Sequence, residues 1–194
     1  MYRKYIKRIM DYTLAILMLP LLILLAVIFC PLIFLEDGGP PFYISERLGK
    51  GGRIFKMYKF RTMKVNAPDI RNKDGSTYNS EKDPRLTRTG RFLRRHSLDE
   101  LPQIINVLRN EMSFIGPRPD LPEHIKQYSS KELIKLKVLP GITGYNQAYF
   151  RNSVGFKERL KNDIYYVRHM SFWLDMKIFF KTIESVITKR GIYG

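Results

Sequence analysis

"YTLAILMLPLLILLAVIFCPLIFL", residues 12–35, is a run of roughly 24 residues without a charge. As a straight helix it reaches about 36 Å at 1.5 Å per residue, enough for a hydrocarbon core of about 30 Å. A signal peptide would be shorter and would end on small residues, which are missing here. Lipidation at Cys30 would want small residues before it, and Ile28 and Phe29 are bulky. A buried core helix does not fit this length and uniformity, so the run is expected to enter a membrane. Its flanks bear on the route. Arg3, Lys4, Lys7 and Arg8 precede it, and Arg47, Lys50, Arg53, Lys56 and Lys59 follow it. Basic flanks belong on the cytoplasmic side, so a single crossing would misplace one of them. A segment that enters and leaves on one face meets no such conflict. It needs a break, and Pro20 and Pro31 each offer one, because proline removes a backbone donor and clashes with the preceding turn. An ordinary spanning helix with a mild kink is the alternative, since membrane helices tolerate proline. Glu36 and Asp37 mark the return to water.

This reading divides the chain into a membrane anchor over residues 1–37 and a catalytic-sized remainder over 38–194. With 34 Lys and Arg against 18 Asp and Glu, the formal charge is +16. Such an excess points to an anionic partner: nucleic acid, an acidic membrane surface or a phosphorylated ligand. Cys30 is the sole cysteine, which excludes an intrachain disulfide and a cysteine-based metal site. His96, His124 and His169 do not cluster, so a zinc centre is not expected.

The remainder reads as a mixed α+β domain with amphipathic helices on its surface. "GGPPFYISERLGKGGRIFKMYKFRTM" places two apolar-aromatic runs around a Gly-rich turn at 49–52, the pattern of a β-hairpin. Its "GKGG" lacks the spacing of a phosphate-binding Walker loop. Residues 64–84 are polar and read as a loop. Arg85, Arg88, Arg91 and Arg94 recur every third residue with Arg95 beside them, a basic stripe if helical. Such a stripe is either a solvated face or a surface for lipid phosphates or an anionic ligand. "PQIINVLRN" reads as a short apolar helix. "GPRP" at 116–119 holds Arg118 between two prolines, and a guanidinium presented from so stiff a turn suits bidentate binding of phosphate. "LPGITG" at 139–144 reads as another tight turn. "SFWLDMKIFFKTIESVITK" from 171 is an aromatic-rich amphipathic helix, suited either to a core or to an interface with snorkelling lysines.

In "RRHSLDELPQ", residues 94–103, Asp99 and Glu100 sit side by side in a basic region. Ser97 followed by Glu100 matches a capping box, and Asp99 could itself cap a helix with Pro102 in its first turn. Acids near a helix start are favoured by its dipole whatever the function. The residue pattern alone leans towards caps over catalysis.

Several ordered motifs add a resemblance. "KMYKFRTM" (56–63), "DPRLTRTGRFLRRHSLDELPQIINVL" (83–108), "EMSFIGPRP" (111–119), "LPGITGYNQ" (139–147) and "DIYYVRHMSFWLDMKI" (163–178) together resemble the bacterial sugar transferases. More narrowly, the chain is similar to the small monotopic phosphoglycosyl transferases, which consist of the catalytic unit alone. The resemblance implies transfer of a sugar-1-phosphate from a UDP-sugar to undecaprenyl phosphate. UMP is released, Mg²⁺ is required, and a phosphoryl-aspartate forms on the way. By motif position it makes Asp99 the nucleophile and Mg²⁺ ligand and Glu100 its acid/base or positioning partner. It makes Lys59, Arg94, Arg118 and Arg151 the phosphate-binding cations. It also implies residence in the bacterial inner membrane with the catalytic domain in the cytoplasm, membrane lipids as partners, no nucleic acid, and room for a homodimer. Cations around Asp99 would keep its carboxylate ionised. The sequence departs from the family pattern in two places. Leu24 stands where a small residue usually precedes the breaking proline, and "AYFRN" lacks the usual glycine before Arg151. A UDP-sugar phosphohydrolase and a membrane-tethered nucleic-acid-binding protein are the rival readings. The second leaves "SLDELPQ" and "GPRP" without a shared task.

Overall fold

The computed structural model describes residues 1–70, 78, 80, 82–150 and 153–188. A short π-helical turn, Tyr2–Ile6, leads into α1, Lys7–Asp37. At 1.5 Å per residue α1 is about 46 Å long. It is long and apolar enough to cross a membrane, with a mean hydropathy of 3.0 in its most apolar window. Pro20 and Pro31 both lie inside it, and neither interrupts the helix. Proline bends a helix axis while the segment stays helical, so a bend at Pro20 or Pro31 fits this continuous helix. Gly38, in the left-handed region at φ 72°, ends it and donates its N–H to the Phe34 carbonyl, a glycine C-cap.

One stripe of α1 turns inward: Lys7, Asp11, Ala15, Leu22 and Ile33 are buried. Helical spacing puts all five within one sector of the cylinder. Ala15, Leu22 and Ile33 join Phe55, Met57, Phe60, Leu93, Ile104, Val107 and Met112 in the main core. The opposite side, including Leu17, Ile23, Leu24, Val27 and Leu35, is exposed. An exposed apolar face of this extent calls for lipid or a partner.

Both ends of α1 are tied to the domain. At its start the Lys7 ammonium pairs with Asp175 at 2.6 Å. Asp11 accepts from Ser113 Oγ at 2.9 Å and from the Phe114 N–H at 3.0 Å. At its end the buried Arg61 donates to both oxygens of Asp37, at 2.6 and 2.7 Å, and to the Ile33 carbonyl. Glu36 accepts from the Thr89 N–H at 3.0 Å.

The expected hairpin is present: β1, Phe42–Leu48, pairs antiparallel with β2, Ile54–Phe60. Gly51 and Gly52, at φ 71° and 77°, supply the left-handed turn between them. Then come α2, Arg88–Arg95, and α3, Gln103–Leu108, the short apolar helix expected there. A second sheet was not legible in the sequence. Strand β3, Ser113–Ile115, lies parallel to β4, Gly141–Thr143, so "LPGITG" contributes a strand where a turn was expected. The chain closes with α4, Tyr145–Tyr149, α5, Phe156–His169, and α6, Phe172–Ile187. Helix α6 buries Asp175, Ile178 and Ser185 and exposes Trp173, Phe180 and Ile187, so it is both a core helix and an amphipathic surface helix.

The arginine stripe is shorter than its spacing suggests. Arg85 precedes α2 and is buried in an ion pair with Asp83, 2.7 Å away, and Arg94 turns inward to Thr62. Arg88, Arg91 and Arg95 remain on the solvent side. The loop read over 64–84 lies partly outside the described residues, and Arg151 lies wholly outside them.

Candidate active site

The acid pair lies in a single 3-10 turn, Leu98–Glu100, between α2 and α3. Ser97 opens it in the left-handed region at φ 55°, a conformation that costs a non-glycine residue about 1–3 kcal/mol and clusters at functional sites. The Ser97 side chain makes no capping bond, and α3 begins after Pro102 with no side-chain cap. Neither acid does the capping work that the sequence pattern offered as their explanation.

Lys59 arrives from β2. Residues 55, 57 and 59 share one face by strand alternation, and Phe55 and Met57 are buried there. Lys59 therefore extends the inward face at the open end of the hairpin, where its ammonium donates to Glu100 Oε1 at 2.5 Å. Asn106 of α3, fully buried, accepts from the Tyr58 N–H at 3.1 Å and donates to the Lys56 carbonyl at 2.7 Å. These two bonds fasten the helix that follows the acids to the strand that carries the lysine.

Arg94 is placed by a close approach of α2 to Thr62. A Cβ on Gly90 would sit 2.0 Å from the Thr62 carbonyl oxygen, so only glycine permits this distance. From there Arg94 Nε donates to Thr62 Oγ1 at 3.0 Å. Arg118 is placed by Gly116, against which Gly141 and Gly144 both pack. Cβ atoms on Gly141 and Gly144 would lie 2.1 and 2.0 Å from backbone atoms of Gly116. The Gly116 N–H donates to the Thr143 carbonyl, and the Gly141 N–H to the Pro117 carbonyl, each at 2.9 Å. The "GPRP" turn is thus locked to β4, and Arg118 projects from it exposed.

A pocket of about 250 Å³, counted to its open mouth, brings Lys59, Glu100 and Arg118 together with Arg47 and Gln103. Arg47 was not singled out from the sequence. Its signal is register: it pairs with Phe55 across the hairpin, and cross-strand partners share a face. Burial and the nearby Arg118 guanidinium both lower the Arg47 pKa. Two arginines that repel each other across a pocket form a site for an anion.

The two acids titrate apart. Burial pushes Asp99 above the ordinary aspartate value, against the pull of Lys59 and Arg94, while the charge on Glu100 adds to the rise. Burial also works to raise Glu100, but Lys59 and Arg118 outweigh it and hold the carboxyl at about 2. Lys59 and Arg94 do pull the Asp99 pKa down, as expected of cations beside a carboxylate, but burial and the Glu100 charge outweigh them and leave it above the ordinary value. Neighbouring carboxyls driven apart in this way are a mark of reactive sites.

Among the described residues no three acidic, histidine or cysteine side chains gather as a ready-made metal cage. Mg²⁺ commonly takes one or two protein carboxylates and completes its shell with water and substrate phosphates. Asp99 offers the hard oxygen donor such a site requires.

A family model described as bacterial sugar transferase matches residues 2–189. Galactosyl transferase CpsE of Streptococcus agalactiae serotype III is 40% identical over 95% of this chain and 43% of its own length. The undecaprenyl-phosphate galactose phosphotransferase of Salmonella typhimurium is 37% identical over 81% of this chain and 36% of its own length. The exopolysaccharide production protein ExoY of Sinorhizobium fredii is 39% identical over 96% of this chain and 88% of its own. The chain thus spans less than half of the first two and most of the third.

Proposed function

The chain belongs to the bacterial sugar transferase family, and on that premise we propose that it moves a sugar-1-phosphate from a UDP-sugar to undecaprenyl phosphate. Relatives named for galactose and N-acetylgalactosamine phosphotransfer to undecaprenyl phosphate support this reading. The observation that carries it is the pocket where Lys59, Arg47 and Arg118 converge on Glu100, with Asp99 adjacent to it and within the field of Lys59 and Arg94. Cations in surplus hold a diphosphate, and the free carboxylate attacks it.

The Asp99 carboxylate attacks the phosphorus that bears the sugar, the phosphoanhydride bond breaks, and UMP leaves with the bridging oxygen. A phosphate oxygen of the polyprenol then attacks the same phosphorus, and Asp99 departs as carboxylate. Covalent catalysis splits one transfer between two anions into two displacements at one centre. Arg47 and Arg118 take up charge on the phosphoryl oxygens as it builds. Glu100, ionised far below neutrality, is a positioning residue: it holds Lys59 at the pocket floor and has no proton to give. Asp99 would hold the Mg²⁺, which when bound neutralises phosphate charge.

The lipid acceptor demands a site at a bilayer surface. In support, both ends of α1 are fastened to the one domain, at Lys7–Asp175 and at Asp37–Arg61. A helix crossing along the bilayer normal would carry these polar contacts about 46 Å apart, on opposite faces. We therefore read α1 as entering and leaving on one side, the cytoplasmic side, where nucleotide sugars are found. Reporter tags at both termini check this; a periplasmic N-terminus would overturn it. The activity is tested by UMP release from a panel of UDP-sugars with Mg²⁺, with and without undecaprenyl phosphate. Lipid-dependent release is expected. Release indifferent to lipid would make the protein a hydrolase instead.

A further inference from the structure

The solvent side of α2 takes no part in the transfer chemistry. Arg88, Arg91, Phe92 and Arg95 are exposed there, whereas Gly90 and Leu93 are buried and Arg94 turns inward to Thr62. Their helical spacing puts the four exposed side chains within one sector of about 100°. We propose that this face docks on the headgroups of anionic phospholipids in the bilayer that receives α1. It goes beyond the transferase chemistry and rests only on the insertion of α1 in a bilayer.

The charge on this face has no counterpart in the protein. Helix α2 contains no acid. Among the described residues, none of Arg88, Arg91 and Arg95 pairs with a carboxylate. Exposed lysines on other helices are neutralised within a turn: Lys161 by Glu158 at 3.1 Å on α5, and Lys181 by Glu184 at 2.9 Å on α6. Like charges three and four residues apart destabilise a helix, so Arg88, Arg91 and Arg95 gain from an anion outside the chain. The guanidinium fork grips a phosphate through two hydrogen bonds, which a lysine cannot do.

Phe92 decides which anion. It stands between the arginines, 48% exposed, and stacks on Phe29 of α1 with centroids 5.9 Å apart. On α1 the neighbouring Ile28 and Leu32 are about half exposed. Apolar surface thus continues from α1 onto α2. Near the start of α2 the Glu36 carboxylate bonds the Thr89 N–H at 3.0 Å. Helix α2 therefore lies beside the last two turns of α1, where the chain passes from apolar residues to Glu36 and Asp37. An aromatic ring flanked by guanidiniums suits that boundary, with the ring against acyl chains and the charges among phosphates. A soluble polyanion would satisfy the arginines and leave the ring in water. A grip on headgroups here also fixes the height of the acid turn, which begins at Leu98, three residues after Arg95.

The test follows amide hydrogen exchange in the full-length chain, reconstituted in phosphatidylcholine nanodiscs with or without phosphatidylglycerol. Over 88–95, exchange is expected to slow at least about fivefold with phosphatidylglycerol, the effect of one arginine at an anionic surface. That slowing should vanish in the triple variant Arg88→Gln, Arg91→Gln, Arg95→Gln, and fade in high salt. Arg91→Gln alone, expected to lose part of it, carries the test if the triple variant fails to fold. Equal exchange of wild-type α2 in both kinds of disc would overturn the proposal. A triple variant that keeps the slowing would place the lipid contact elsewhere and overturn it too. Slowing in pure phosphatidylcholine on adding undecaprenyl phosphate, with none from phosphatidylglycerol, would assign the face to the acceptor instead. The amides of α1 should be protected in both discs; free exchange there would remove the insertion of α1 itself, and this proposal with it.

Discussion

Glu100 and Asp175 each hold a lysine in a close ion pair, at 2.5 and 2.6 Å, yet their surroundings differ. Asp175 is almost wholly buried and every oxygen is used: Lys7 and Tyr2 share one, and Tyr166 donates to the other at 2.8 Å. Charges there balance, and the cluster staples the start of α1 to α6. Around Glu100 they do not balance. One lysine and two arginines line the same pocket as a single acid, and a second carboxylate, Asp99, stands beside it. A satisfied cluster holds a fold together, whereas an unbalanced one asks for a ligand.

The largest expected effect tests the unbalanced centre. Asp99→Asn should lower turnover by roughly 10⁴-fold or more, as loss of a covalent nucleophile does. UMP release from membranes with normal protein levels measures it, and activity within tenfold of wild type would sink the assignment. Asp175→Asn should do the opposite kind of damage. It leaves the Lys7 charge buried without its counter-ion, which costs about 3–5 kcal/mol of stability. The melting temperature should fall, while turnover per folded molecule stays near wild type. If turnover falls and melting does not, the contrast between the two centres is wrong.

Arg118→Lys comes next. It keeps the charge but loses the bidentate fork, so donor KM should rise about 10–100-fold with little change in melting temperature. The smallest effect is a shift along the pH axis. The base form of Asp99 is the reactive one, and its pKa is raised. The rate should therefore climb with pH through a limb above the ordinary aspartate range. Glu100→Gln removes a charge that raises Asp99 and frees Lys59 to approach it, so that limb should move to lower pH. A limb that moves upward would show that Glu100 helps Asp99 to ionise.

Much of this was legible because it is periodic or local. The uncharged run gave α1, the flanking glycines gave the hairpin, and helical spacing gave α3 and α6. Lys59, Glu100 and Arg118 do converge, and Asp99 adjoins them. What stayed hidden depends on distant pairs. Strands of three residues carry no alternation to read, so β3 and β4 are visible only in the close packing of Gly116 against Gly141 and Gly144. Arg47 becomes a site residue only once the hairpin register is known. Asp163 stood in the sequence only as the first residue of a family motif, and its pairing with Lys135, 28 positions earlier in the numbering, is visible only in the fold.

The pair between Lys7 and Asp175 joins residues 168 positions apart. A ribosome releases the first long before the second, and chains fold as they emerge. Throughout synthesis, then, the membrane helix carries an ammonium whose eventual partner does not yet exist. Water must solvate it until α6 arrives, which moors that end of the helix at the bilayer surface from the outset. The closing helix does not drag the anchor into place. It meets the Lys7 ammonium with the Asp175 carboxylate and latches the start of α1 to the domain.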